Sequence, residues 1–176
     1  MEINAYAPDF ELPSVQGDVV HLGHYLENHT AVVVVFICNH CPYVKAYLSR
    51  LIDIQHDYQS KGVTLIGINS NDQQKYPEDS FDKMKVYAQE WGLNFPYLRD
   101  RNQDVANAFA ATCTPEPFVI DKAGKVCYRG QIDDNYRDPD AVTSNDLRDS
   151  IDLILKGEQI TKPMSAAIGC SVKWIA

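Results

Sequence analysis

Cys38 and Cys41 flank Asn39-His40, so two thiols stand three residues apart. The run before them, Ala31 to Ile37, is continuously apolar and β-branched, the pattern of a central strand buried on both faces. After them Val44, Tyr47, Leu48, Leu51 and Ile54 recur at helical spacing, and Pro42 suits a first helical turn, where a missing N–H costs nothing. The thiols therefore fall where a strand hands over to a helix. Free N–H groups and the helix dipole at that point stabilise a thiolate and lower a cysteine pKa from about 8.5. A two-residue spacer at a helix start also keeps the Cα atoms within the roughly 7 Å that a disulfide requires. The chemistry implied is reversible thiol–disulfide exchange, with the pair exposed at the positive end of the helix. It needs no cofactor and no metal, and none is expected.

A CxxC pair can instead hold zinc, which commonly takes a second such pair or paired histidines. No second pair occurs here, so a metal site has to recruit His40, Cys113 or Cys170 through the fold. A buried, inert pair is the remaining reading.

Cys113-Thr114-Pro115-Glu116-Pro117 is the second constellation. Pro115 stands just before a strand, in a turn that admits a cis bond. Such a turn presents the Thr114 backbone as an unpaired edge on which an extended peptide can dock. Cys113 can approach the thiol pair or serve as a small buried hydrophobe. Glu116 reads better as a rim charge than as a proton relay. His40, when protonated, supports a neighbouring thiolate. Cys170, between Gly169 and Ser171, is either a free surface thiol or an auxiliary redox partner, and Cys127 falls at a core position of a strand. The acidic group Asp133, Asp134, Asp138 and Asp140 reads as a solvated face.

The elements that must position these residues follow from pattern. Residues 7–22 suggest a hairpin, and 23–28 a single helical turn. A helix over about 42–60 ends at Lys61-Gly62. Val63 to Asn69 is a second buried strand, and Ser70 to Ser80 a polar loop. Phe81, Met84, Tyr87, Ala88 and Trp91 mark a helix closed by Gly92. Phe95 to Leu98 is a short extended piece, and a short helix around Val105 and Phe109 takes Asn102 as its N-cap. Phe118–Asp121 and Val126–Arg129 form a hairpin around Gly124. A last helix begins at Thr143 and stops at Gly157. The order β-α-β-α-β-β-α after a hairpin specifies a mixed central sheet with helices on both faces.

The chain has 176 residues, 45% apolar and 23% charged, and reads as one domain over 1–176 with a flexible tail from 158. A net charge of −8 without a basic cluster argues against a nucleic-acid partner. No stretch approaches the ~18 apolar residues of a membrane span, and the start is unlike a signal peptide, so a cytoplasmic protein is expected. Five dispersed cysteines fit catalytic or metal-binding thiols in a reducing compartment better than a structural disulfide framework.

Four segments resemble the thioredoxin-fold redoxins of the alkyl hydroperoxide reductase / thiol-specific antioxidant superfamily. They are Ala7–Leu12, Phe36–Val44, Thr114–Asp121 and Gly130–Asp134; Ile168–Trp174 resembles the tail of a subgroup. The resemblance implies an α/β thioredoxin fold with an N-terminal β-hairpin extension and a cis Thr114–Pro115 bond. It implies a thiol–disulfide oxidoreductase in which Cys38 attacks and Cys41 resolves, served by a thiol electron donor. Its substrates would be disulfides, of a protein or a small molecule. Peroxiredoxins place the peroxidatic cysteine directly before Pro, as in Cys41-Pro42, with a Thr where this chain has Cys38. Peroxide reduction by Cys41 is thus the alternative, and a zinc-binding or non-catalytic interaction module the third reading. Ile37 stands where thioredoxins carry Trp.

Overall fold

Ala31–Phe36 (β3) is buried at every residue and forms the middle of a five-stranded sheet. Its alternate side chains feed two separate cores, as the period of two requires. Val33 and Val35 pack with Leu51, Met84, Leu147 and Ile151 on one face. Val32, Val34 and Phe36 pack with Phe10, Leu22 and Phe109 on the other. A run of branched residues is thus used on both sides.

The structure, a computed structural model, describes residues 1–176. Before β3 come β1 (Glu11–Pro13) and β2 (Val19–His21), an antiparallel hairpin, and α1 (Leu22–Asn28). After it come α2 (Pro42–Tyr58), β4 (Val63–Asn69), α3 (Phe81–Trp91), β5 (Tyr97–Arg99) and α4 (Asp104–Phe109). The chain then forms β6 (Cys113–Thr114), β7 (Glu116–Asp121), β8 (Val126–Arg129), α5 (Asp146–Leu155) and β9 (Cys170–Ser171). The central sheet runs β5-β4-β3-β7-β8, with β3, β4 and β5 parallel and β7 and β8 antiparallel to their neighbours. Helices α2, α3 and α5 contribute to one core and α1 and α4 to the other. This is the thioredoxin fold with an N-terminal hairpin.

Helix α2 begins with Pro42 in its first turn after Cys41 as N-cap. Its inner face carries Val44, Tyr47, Leu48, Leu51 and Ile54, as the spacing required. The helix tightens into a 3-10 turn at Gln59–Lys61 and stops at Gly62, whose φ of +82° suits a residue without Cβ.

Three boundaries differ from the sequence pattern. Helix α4 is not capped by Asn102: Gln103 precedes it with φ +66°, and the Asp100 carboxylate accepts from the N–H groups of Val105 and Ala106. Helix α5 starts at Asp146 rather than Thr143, because the Asp134 carboxylate holds the N–H groups of Thr143 and Ser144 in the loop. The residues after 158 are not a loose tail. Strand β9 pairs antiparallel with β6, and Val172 donates to Thr112 at 3.1 Å.

Candidate active site

The end of β3 and the start of α2 deliver the two thiols, and β6 faces both of them. Cys38 Sγ lies 3.4 Å from Thr114 Oγ1, and Cys41 Sγ lies 3.5 Å from the Thr114 carbonyl oxygen. The Thr114–Pro115 bond is cis. On its other side Cys41 Sγ meets Cys170 Sγ at 2.6 Å, because β9 pairs Cys170 with Thr114. The expectation of exposed thiols is corrected here: Cys38 and Cys41 are each 1% exposed. Thr114 and the strand carrying Cys170 cover them.

Charge is divided unequally between the two sulfurs. A hydrogen bond from Cys38, opposed by burial and aided by Cys170 and by the Val44 N–H in the first turn of α2, holds Cys41 down at about 4. Cys38 moves well above the ordinary thiol range, through that same hydrogen bond, burial and the Asp79 carboxylate. Cys41 therefore holds the negative charge and Cys38 keeps the proton. The negative charge thus gathers on the cysteine that directly precedes Pro42.

Asp79 is the site residue that periodicity alone could not single out. It ends a 3-10 turn, Pro77–Asp79, inside the polar segment after β4, and is wholly buried. Its carboxylate accepts from the Asn39 N–H at 2.7 Å, Asn69 Nδ2 at 3.2 Å and Asn71 Nδ2 at 3.0 Å. Arg99 binds the backbone carbonyls of Asn69, Asn71 and Asp79 from beneath. Asn39 also accepts from Tyr97 Oη at 2.7 Å, fixing the backbone between the cysteines. The density of Asn and Asp at and just after the end of a buried strand was the available signal, since buried polar groups must find partners.

His40 faces Asp79, with Nδ1 2.6 Å from Oδ2, and stacks on Tyr76. Cys38 Sγ, His40 Nδ1 and an Asp79 oxygen lie within 4.8 Å of one another, so these are the residues able to hold a metal ion. Cys113 and Cys170, named with His40 from sequence, are not in that group. Asp79 is already committed to three N–H donors.

Cys113 sits on β6 next to Thr114, half-buried, with its thiol pushed up to about 11 by burial and Glu116. Glu116 is not a rim charge. It is buried, accepts from the Thr112 N–H at 2.8 Å and pairs with Arg129 at 3.1 Å, which anchors the turn entering β7. Asp133 likewise leaves the solvated face: it is buried and pairs with Arg50 of α2 at 2.7 Å. Cys127 is half-buried and donates to the Asp121 carboxylate.

Residues 3–129 match the AhpC/TSA family. Thiol-disulfide oxidoreductase ResA of Geobacillus thermodenitrificans (strain NG80-2) is 32% identical over 127 residues, 70% of this chain and 66% of that protein. The chain thus spans just under two thirds of the length of that relative. An uncharacterized conserved protein from Geobacillus kaustophilus has a crystal structure with TM-score 0.92 and 42% identity, covering 99% of this chain and 93% of that one. The thiol:disulfide interchange protein, a thioredoxin family protein, from Chlorobium tepidum TLS shares the fold at TM-score 0.64 and 23% identity over 89% of this chain and 97% of that one.

Proposed function

Because this chain belongs to the AhpC/TSA family, we propose that it is a thiol–disulfide oxidoreductase cycling between a dithiol and a Cys38–Cys41 disulfide. The observation that carries this reading is the convergence of both sulfurs on Thr114 at the start of α2, with the charge gathered on Cys41. The similarity to ResA, named for that activity, supports it.

In the proposed cycle the Cys41 thiolate attacks one sulfur of a substrate disulfide, and the other substrate sulfur leaves as a thiolate. Cys38 then loses its proton and attacks Cys41 Sγ, releasing the reduced substrate and closing the Cys38–Cys41 bond. Two electrons pass from the protein to the substrate. A thiol donor restores the dithiol. Thr114 and Pro115 form the edge that receives the substrate chain once β9, which is paired with Thr114, has lifted away, and His40 with Asp79 holds the intervening loop. The setting proposed is the cytoplasm, where thiol donors keep such a pair reduced.

Insulin-disulfide reduction with a thiol donor tests this. Turnover is expected for the native chain, loss of it for Cys41→Ser and a lowered rate for Cys38→Ser; undiminished turnover in either variant defeats the proposal.

Peroxide reduction is the second reading, favoured by a low-pKa Cys41 directly before Pro42. The thiolate takes one peroxide oxygen to become a sulfenic acid, an alcohol or water leaves, and Cys38 condenses with the sulfenic acid to a disulfide and water. Rapid consumption of hydrogen peroxide, abolished by Cys41→Ser and retained for at least one turnover by Cys38→Ser, distinguishes it.

A further inference from the structure

Cys41 has two sulfur neighbours. Cys38 lies beside it in the loop, and Cys170 touches it from β9 at 2.6 Å. The contact is built into the backbone. Thr114 and Cys170 are directly paired residues of an antiparallel ladder. Gly169 passes so close that a Cβ there would lie 2.1 Å from the Thr114 carbonyl oxygen. Beyond the strand, Lys173 accepts from the Asp72 N–H and donates from its own N–H to Asn71, while Ile175 donates to Gln103. The strand is clamped on the same Thr114 edge that a substrate chain would use.

Cys170 differs from the other two sulfurs in one respect. It is half-buried, whereas Cys38 and Cys41 are closed off. With the strand in place a donor thiol meets Cys170 before it meets a Cys38–Cys41 disulfide.

We propose that Cys170 is a third redox residue, which takes over Cys41 from Cys38 and presents the resulting Cys41–Cys170 disulfide to the reductant. The inference rests on the oxidoreductase reading above. In the exchange the Cys170 thiolate attacks Cys41 Sγ, the Cys41–Cys170 bond forms and the Cys38–Cys41 bond breaks. The electron pair remains on Cys38, which takes up a proton; no outside oxidant or reductant is consumed. The donor thiolate then attacks Cys170 Sγ, and Cys41 leaves as a thiolate. A second donor thiol attacks the donor–Cys170 disulfide, frees Cys170 and departs as the donor's own disulfide. Cys41 suits its part because a low-pKa sulfur is the better leaving group. Burial, then the hydrogen bond and charge of Cys41, push the Cys170 thiol up to about 11 in the dithiol form; the two contributions from the Cys41 thiolate are absent once Cys41 is bonded to Cys38, while burial remains.

The full chain, exposed to graded ratios of reduced and oxidised glutathione, quenched with N-ethylmaleimide and digested, gives the test by mass spectrometry. Linked Cys41–Cys170 peptides are expected beside the Cys38–Cys41 loop, and as the sole linkage in Cys38→Ser. In Cys170→Ser a substrate disulfide still closes the Cys38–Cys41 bond, while reopening by glutathione slows roughly tenfold or more. A Cys38–Cys41 bond formed with Cys170 alkylated throughout, and reopening unchanged in Cys170→Ser, overturns the relay and leaves the oxidoreductase reading intact. Absence of any linkage at Cys41 overturns both.

Discussion

Asp79 Oδ2 stands 2.6 Å from His40 Nδ1, with the carboxylate wholly buried and the ring one-third exposed. The same carboxylate raises the Cys38 thiol and takes the N–H of Asn39. One side chain thus adds to the Cys41 hydrogen bond and the burial that keep the proton on Cys38, and fixes the loop between the cysteines.

Asp79→Asn keeps the shape and removes the charge. An amide accepts through one oxygen only, so at least one of the N–H groups now facing Asp79 loses its partner, at a cost of about 1–3 kcal/mol. Urea unfolding of the reduced protein should show that loss. The Cys38 thiol should titrate at lower pH than in the native chain; an unmoved titration would remove Asp79 from the charge balance.

Cys41 carries the pH dependence. Its folded value of about 4 lies below the roughly 8.5 of an unfolded thiol, so between these values the unfolded chain binds the extra proton. Stability of the reduced protein relative to Cys41→Ser should therefore be greatest above pH ~8.5 and decline as pH falls through about 4. Ultraviolet thiolate absorbance should persist at neutral pH in the native chain and vanish in Cys41→Ser.

Gly169→Ala places a methyl group against the Thr114 carbonyl, where backbone rather than a flexible side-chain tip stands in the way. The strand must lift. Maleimide labelling of Cys41 is expected to accelerate by tenfold or more, with little change in urea stability of the central sheet. Unchanged labelling would show that β9 does not shield the sulfur.

Arg50 on α2 binds Asp133 and the carbonyls of Asn135 and Tyr136. Arg50→Met leaves the buried Asp133 charge without its cation, a loss of about 3–5 kcal/mol for a pair of this kind. Chemical denaturation measures it directly.

Zinc separates the redox reading from the metal reading. Since Asp79 is engaged by three N–H donors, dialysed reduced protein is expected to retain far less than one zinc per chain by elemental analysis. Stoichiometric zinc together with inactivity towards insulin would turn Cys38, His40 and Asp79 into a ligand set.

The sheet and its helices were legible because β3 is apolar throughout, β4 is apolar but for Thr64 and its last residue Asn69, and α2 keeps one apolar face. The CxxC turn was legible for a related reason, local chain chemistry, whereas the Thr114 edge, expected to be unpaired, is taken up by β9. What lay hidden depends on distant pairing. Glu116 reads as an exposed charge until Arg129 is brought beside it by the β7–β8 hairpin. Asp79 looks like any loop acid until Asn39, Asn69 and Asn71 converge on it. Cys170 sits among small residues with no periodicity, and only the ladder to Thr114 gives it a place.

Strand β9 follows every strand of the central sheet in chain order. On the ribosome, β3, α2 and β6 emerge first, so the nascent protein holds its reactive sulfurs uncovered for the interval before residues 170–171 arrive. The newborn chain is thus most vulnerable to oxidation, and most open to large partners, just before synthesis supplies its own shutter.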